Sequence, residues 1–237
     1  MIVDMHCHVV YGVDDGAQKP GDMQDMLRLA HENRVKHIIC TSHIAPGEAP
    51  FPAEKYEAHL AEGQAYCDSQ GWDLHLHPGS EILYTRDAVR MLDEGRVPRL
   101  DGKWAVLVEF WHECPYSTME EAARKLTDEG MTVVFAHIER YKALGSIRRI
   151  RDLKERWGIL MQMNSHTVTR KLPFFTERWK QRVLRDGLVD IISSDAHNIT
   201  SRSCTMLPAW EKLRDTLGEE RADDLCGGCI ARVLELT

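Results

Sequence analysis

Residues 2–8 read Ile-Val-Asp-Met-His-Cys-His, an apolar run that ends in His6 and His8. On an extended strand, side chains at i and i+2 share one face, so both imidazoles can grip one metal ion. Cys7 faces the other way and reads as a small core residue. The same event recurs along the chain. Short apolar runs finish at Thr41-Ser42-His43, Gly79-Ser80-Glu81, Val108-Glu109, Ala136-His137-Ile138-Glu139-Arg140, Asn164-Ser165-His166 and Ser194-Asp195-Ala196-His197. The spacing fits one strand and one helix per repeat, roughly 30 residues. Parallel strands of a βα barrel point one way, so their C-terminal ends open on one mouth. Residues scattered over the whole sequence then converge on one site.

Strands are expected at 2–5, 36–41, 73–77, 104–109, 131–136, 159–164 and 189–193, each short and rich in Val, Ile or Leu. Helices are expected between them at 21–34, 52–69, 85–94, 119–129, 147–157 and 174–186. Residues 206–217 and 219–235 read as a helical tail that starts at about 203. In segment 120–129, Ala122, Ala123 and Leu126 form the apolar stripe and Gly130 follows as a C-cap. No Pro-, Gly- or Ser-rich linker divides the chain, so 1–237 reads as a single domain. Seven strands is one fewer than the eight of a standard TIM barrel.

The formal charge of −7 over 237 residues argues against a nucleic-acid binder, which carries a basic balance. No apolar run reaches the ~18 residues that span a bilayer, so stable membrane insertion is not expected. The N-terminus lacks the basic-then-apolar pattern of a secretory leader. Seven scattered cysteines, an odd number, read as reduced thiols of the cytoplasm.

Beside His6 and His8, the ligand candidates are Asp15, His43, Glu81, Glu109, His137, Asp195 and His197. Imidazoles mixed with carboxylates, and no paired thiolates, favour Mn, Fe or Zn in a hydrolytic site over a structural zinc. His75 and His77 repeat the i, i+2 spacing but stand before Pro78, upstream of the run's end. They read as a non-ligating strand face, and Glu81 is the candidate from that strand. Arg140 and Arg202 each follow a ligand candidate closely. Guanidinium groups beside a cationic cluster call for an anion, and a phosphate suits their bidentate geometry. Cys226-Gly-Gly-Cys229 has no second thiol pair. The C-x5-R pattern from Cys226 to Arg232 lacks the flanking residues of a cysteine phosphatase loop. Arg148, Arg149, Arg151, Lys154 and Arg156 read as a solvated basic face.

Together with Val13-Asp14-Asp15-Gly16, Glu109-Phe110, Tyr141 and Asn198, these motifs resemble the polymerase-and-histidinol-phosphatase (PHP) superfamily. Within it the chain is similar to the bacterial manganese-dependent protein tyrosine phosphatases of capsule and exopolysaccharide operons (CpsB-type). The resemblance runs from residue 1 to about 202. It implies a distorted seven-stranded βα barrel of the PHP type and three divalent metal ions, manganese with iron or zinc as alternatives. One ion would be held by His6, His8, Glu81 and Asp195. A second would use Glu81, Glu109 and His137, with Glu81 bridging. The third would use Asp15, His43 and His197. Arg140 and Arg202 match the relatives' phosphate-binding arginines and, with Asp15, make up the expected catalytic set. The implied substrate is a phosphotyrosine-containing tail of a bacterial tyrosine kinase. The implied chemistry is attack by metal-activated water, with no phosphoenzyme and no cysteine nucleophile. Asp14 and His166 are both open as the group that protonates the leaving oxygen. The rival reading is a small-molecule phosphomonoesterase of the histidinol-phosphate phosphatase type, which shares every ligand. A polymerase-associated nuclease is disfavoured by the acidic balance, and a metal-binding regulatory module without turnover is the rival from another class. The chain departs from the family at His75 and His77, where apolar residues are usual, and over the tail from 203 to 237.

Overall fold

A computed structural model describes residues 1–46, 50–85 and 87–237. Seven strands follow one another in chain order: β1 (Ile2–Cys7), β2 (Val35–Ile44), β3 (His75–Leu83), β4 (Ala105–Glu109), β5 (Thr132–Phe135), β6 (Leu160–Asn164) and β7 (Ile191–Ser193). Each pairs in parallel with the next. Cys7 and Ala196 form one further parallel bridge that joins the two edges. The result is the expected seven-stranded βα barrel.

The helices are α1 (Pro20–Glu32), α2 (Ala53–Ser69), α3 (Ala88–Asp93), α4 (Tyr116–Asp128), α5 (Ile147–Trp157), α6 (Ser165–Thr169), α7 (Phe174–Arg185), α8 (Met206–Leu217), α9 (Glu219–Asp223) and α10 (Cys229–Leu234). In α1 a proline opens the helix, where its missing N–H costs nothing. Met23, Met26, Leu27 and Ala30 form its buried stripe at helical spacing. Residue 86, within the helix expected at 85–94, lies outside the described residues.

Buried apolar residues divide into two cores. The larger lies between strands and helices. The smaller gathers Val3, Met5, Ile39, Leu107, Val134 and Ile191 with Ile230, Ala231 and Leu234 of α10. The expected continuous helix at 219–235 is instead broken by a wider turn at Asp224–Gly228. A Cβ at Gly227 would sit 2.2 Å from the Met1 carbonyl oxygen, so only glycine lets this turn press against the start of β1. This turn and α10 thus pack at the N-terminal end of the barrel, away from the mouth, whereas Thr205, just before α8, meets Ser165 of α6.

β3 does not stop at residue 77. It passes through Pro78 and carries Glu81 within the strand itself. A proline inside a strand removes a ladder donor, and Tyr56 of α2 reinforces this spot. Its hydroxyl accepts from the Gly79 N–H (2.9 Å) and donates to the Cys40 carbonyl (2.6 Å). A Cβ on Gly79 would meet Ile39 Cγ2 at 2.6 Å, so the close approach requires glycine. Tyr56→Phe should leave the buried Gly79 N–H unpaired and lower stability by about 1–3 kcal/mol. Urea unfolding measures this, and an unchanged midpoint would contradict the assignment.

Candidate metal centre

At the mouth, β1 presents His6 and, one residue past its end, His8. β2 presents His43, β3 Glu81 and β4 Glu109. His137 follows β5, and Asp195 and His197 follow β7. Asp14 and Asp15 come from the loop after β1. The β1–β2 register slips between Asp4 and Cys7. Met5 packs in the inner core while the adjacent His6 faces Glu81 and Asp195. Strict alternation would send these neighbours to opposite faces, and a bulge-like slip re-aims the strand end.

Glu81 sits at the centre and is fully buried. Its Oε1 lies 2.8 Å from His137 Nε2. Its Oε2 lies 3.0 Å from His6 Nε2, 3.3 Å from His8 Nε2 and 3.1 Å from His43 Nδ1. Among the described residues, three sets of ligand atoms lie within 4.8 Å of one another. They are His6, His8, Glu81 and Asp195; His8, Asp15, His43 and His197; and His43, Glu81 and Glu109. The first coincides with an expected set. The second adds His8 to one. In the third, His43 stands where His137 was expected, while His137 Nε2 lies 3.7 Å from Glu109.

The donor set fits divalent cations. Glu81 Oε2 and His197 Nε2 are buried without a hydrogen-bond partner. His6 Nε2 and His8 Nε2 face each other at 3.2 Å. Leaving such groups unmatched is costly, and a cation among them satisfies all of them together. Burial alone would raise the Glu81 pKa, yet the charge of His6 and the close approach of His137, His6 and His8 hold it well below the usual range. Burial lowers His8 and His43, but the surrounding carboxylates outweigh it and push both up to about 9. The site therefore attracts positive charge. Burial and the charge of His8 bring His197 down to about 3, which leaves its ring neutral.

Four histidines have their outer nitrogen occupied. His8 Nδ1 bonds Asp14 (2.8 Å), His6 Nδ1 bonds Gln162 (3.3 Å), His137 Nδ1 bonds the Tyr141 hydroxyl (3.2 Å) and His197 Nδ1 bonds the Asp195 carbonyl (3.0 Å). Such partners fix the tautomer and turn Nε2 into the site. His43 differs: Nδ1 faces Glu81 and Glu109 while Nε2 faces Asp15.

Both arginines reach this cluster. Arg140 bonds Asp195 Oδ2, and Arg202 Nη2 lies 2.9 Å from Asp195 Oδ1. Each side chain stays about one-third exposed (37% and 34%), so both can meet a ligand entering from solvent.

Residues 2–235 match the family described as "Capsular polysaccharide synthesis, CpsB/CapC". The chain belongs to the CpsB/CapC family. Relatives include the tyrosine-protein phosphatase CpsB of Streptococcus pneumoniae, 31% identical over 94% of each chain. The tyrosine-protein phosphatase YwqE of Bacillus subtilis is 23% identical over 92% of this chain and 86% of its own. A solved structure described under YwqE and CpsB as "unique metal-dependent tyrosine phosphatases" superposes with a TM-score of 0.88 at 23% identity, covering 99% of this chain and 94% of that one. Histidinol phosphate phosphatase of Lactococcus lactis, solved with zinc, L-histidinol and phosphate, has a TM-score of 0.58 at 15% identity over 93% of each chain.

The CpsB/CapC fold holds two of its candidate ligands in left-handed backbone, His137 (φ 29°) and Asp195 (φ 53°). Non-glycine residues persist there only when neighbours over-determine them. The His137 N–H donates to Gln162 Oε1 (2.6 Å) and the Asp195 N–H to the His6 carbonyl (2.8 Å). Sequence reasoning missed Gln162, Asn164 and Asp4. Asn164 Nδ2 donates to Asp195 Oδ2 (2.8 Å), and Gln162 donates to Asn164 (2.9 Å). Two amides at i, i+2 on an otherwise apolar strand were the available signal. Asp4 accepts from the Ser194 N–H (2.8 Å) and hydroxyl (2.6 Å), fixing the residue before Asp195. Burial raises the Asp4 pKa to about 6.

Neither group left open as a leaving-group acid is set up for that task. Asp14 accepts from His8, from the Gly16 N–H (2.9 Å) and from the His43 N–H (2.9 Å). Burial would raise its pKa, but these partners hold it far below the carboxylate range. Burial, with the charges of Arg170, Arg140 and Arg202, lowers His166, so its ring is neutral at pH 7. Asp14 instead orients His8. Asp14→Ala should weaken divalent-metal affinity about 10–100-fold, read by calorimetric titration of the metal-stripped protein. Unchanged affinity would remove Asp14 from this role.

Proposed function

We propose that this chain is a metal-dependent protein tyrosine phosphatase with three divalent ions, manganese being the native metal. The observation that carries the reading is the sharing of Glu81, His8 and His43 among overlapping ligand sets, with two arginines meeting at Asp195. Glu81 belongs to two of these sets and would serve ions in both. His6, His8 and Asp195 complete one set; Glu109, His43 and His137 surround the second; Asp15, His43 and His197 form the third. The names of the relatives support the same activity.

Bound divalent cations supply Lewis-acid polarisation and a water acidified towards a pKa of about 7. The chain's own residues do the rest. The carboxylates of Glu81 and Asp195 stay ionised and the His197 ring stays neutral near pH 7, whereas His8 and His43, pushed up to about 9, would each give up a proton when a cation binds. Arg140 and Arg202 offer N–H donors to the equatorial phosphoryl oxygens, where charge builds in the transition state. A phenol leaving group has a pKa of ~10, so it departs with less acid assistance than an alkoxide. That preference matches a mouth in which neither Asp14 nor His166 is poised to protonate. No thiol takes part: burial pushes Cys7 and Cys204 well above the usual range, and raises Cys226 to about 12 and Cys229 to about 11. The substrate we infer is phosphotyrosine in a flexible segment, such as the tail of a bacterial tyrosine kinase in the cytoplasm. Such dephosphorylation would regulate capsule or exopolysaccharide synthesis.

Hydrolysis of a phosphotyrosine peptide should vanish with chelator, return with manganese and survive iodoacetamide. Loss of activity to iodoacetamide alone would exclude the metal mechanism. In competition, the peptide should outpace histidinol phosphate in kcat/KM, and the reverse order would favour the small-molecule reading. Arg140→Ala should lower kcat about 10²–10³-fold while metal content by mass spectrometry stays that of the parent.

A further inference from the structure

Three histidines that the mouth does not use gather at the other end of β2 and β3. His37 stands opposite His75 in the strand register, and Ile39 stands opposite His77. His37 and His75 precede His43 and Glu81 on the same strands by six residues, about 20 Å of extended chain, and His77 precedes Glu81 by four, about 13 Å. The His37 ring lies 5.2 Å, centroid to centroid, from both the His75 and the His77 rings. His37 Nδ1 and His77 Nε2 face each other at 3.0 Å.

The outer nitrogens are held by carboxylates. His77 Nδ1 lies 3.0 Å from Asp101 Oδ1, and His75 Nε2 lies 3.1 Å from Asp73 Oδ1. A carboxylate on one ring nitrogen fixes the tautomer that leaves the other as a free electron-pair donor. For His77 that donor is Nε2, which is turned to His37. For His75 it is Nδ1. Asp101 itself is held in left-handed backbone (φ 50°). Burial, together with the charges of His77 and His75, lowers the His37 pKa, so that ring is neutral at pH 7. The rings line an open hollow with Gln64 and Glu235.

We propose that His37, His75 and His77 bind one divalent transition-metal ion of the zinc type, at a site separate from the catalytic centre. An i, i+2 pair on one strand and a third histidine on its neighbour can form a tripod, and three imidazole donors suit zinc, copper or nickel over manganese. His37 and His77 already share the space between their facing nitrogens. His75, whose side chain is 53% exposed, is the ring that swings in to complete the set. A bound ion would tie β2, β3 and the Asp101 loop together at the barrel floor.

The test uses untagged full-length protein loaded with manganese, then equilibrated with zinc in the presence of a weak chelator. Parent protein should hold one more zinc per chain than the His75→Gln/His77→Gln variant. It should also show a zinc-dependent rise in Tm that the variant lacks. Manganese-dependent hydrolysis should be equal in both, because neither residue touches the mouth. Equal zinc counts and equal Tm shifts would overturn the proposal and leave Asp101–His77–His37 as a hydrogen-bonded array. If the double variant does not fold, the exposed single change His75→Gln carries the same comparison. Either result leaves the phosphatase reading to be judged by its own assays.

Discussion

The hydrogen bond from the Asp195 N–H to the His6 carbonyl joins the last strand to the first. Its neighbour runs from the His8 N–H to the Ala196 carbonyl (2.9 Å). These two bonds flank the Cys7–Ala196 bridge between the edges of the sheet. They also set Asp195 against His6 and His8, with its Oδ1 3.5 and 3.6 Å from their Nε2 atoms. Closing the barrel and assembling the centre are therefore one event. Asp4 strengthens that closure from below by gripping Ser194, and Ser193 Oγ accepts from the Met5 N–H (3.2 Å). A buried acid with a raised pKa is a cost of burial, and its two hydrogen bonds to Ser194 offset part of it.

Charge balance follows from that closure. Asp14, Glu81 and Asp195 are buried or nearly so, and Glu109 and Asp15 stand closer to solvent. Burying carboxylates so close together is tolerated only with matched positive charge. Histidines can supply it by taking protons, as the raised His8 and His43 values indicate. Arg140 and Arg202 supply more through Asp195. Divalent ions would replace the protons on the histidines and free the arginines for an incoming anion. The arginines are exposed enough to exchange one anionic partner for another, whereas Glu81 is sealed and stays within the cluster.

The sequence made the candidate ligand positions other than the loop residue Asp15 legible because they sit where apolar runs end, and strand ends in a parallel barrel share one mouth. The strand count was legible for the same reason. The grouping was less so. His43 was assigned one ion, but its two nitrogens face two carboxylate clusters, a matter of ring orientation that spacing does not encode. β3 was read as ending before Pro78, since a proline argues against a continuing strand. The Tyr56 hydroxyl that supports this spot comes from a helix far away in sequence. Gln162, Asn164 and Asp4 act through hydrogen bonds across the barrel, and no local pattern announces such partners. Residues 219–235 of the tail were read as one helix, yet contact between Gly227 and Met1 shapes the turn at Asp224–Gly228.

Several irregularities of this barrel gather at the mouth. One slip in β1 falls between Asp4 and Cys7, around His6; Pro78 lies three residues before Glu81; and two of the left-handed residues are His137 and Asp195 themselves. A regular strand sends alternate side chains to opposite faces, so it cannot aim Met5 and His6, direct neighbours, both inward. The slip in β1 and the two left-handed positions bring His6, His137 and Asp195, all candidate ligands, around Glu81. Such departures are held by bonds that a regular sheet would not need: Tyr56 at Gly79, Gln162 at the His137 N–H, and the His6 carbonyl at the Asp195 N–H. These distortions serve the mouth, where the geometry of the candidate ligands requires them. At the other end β1 slips once more, between Ile2 and Val3, while on β2 and β3 His37 and His75 stand in plain cross-strand register.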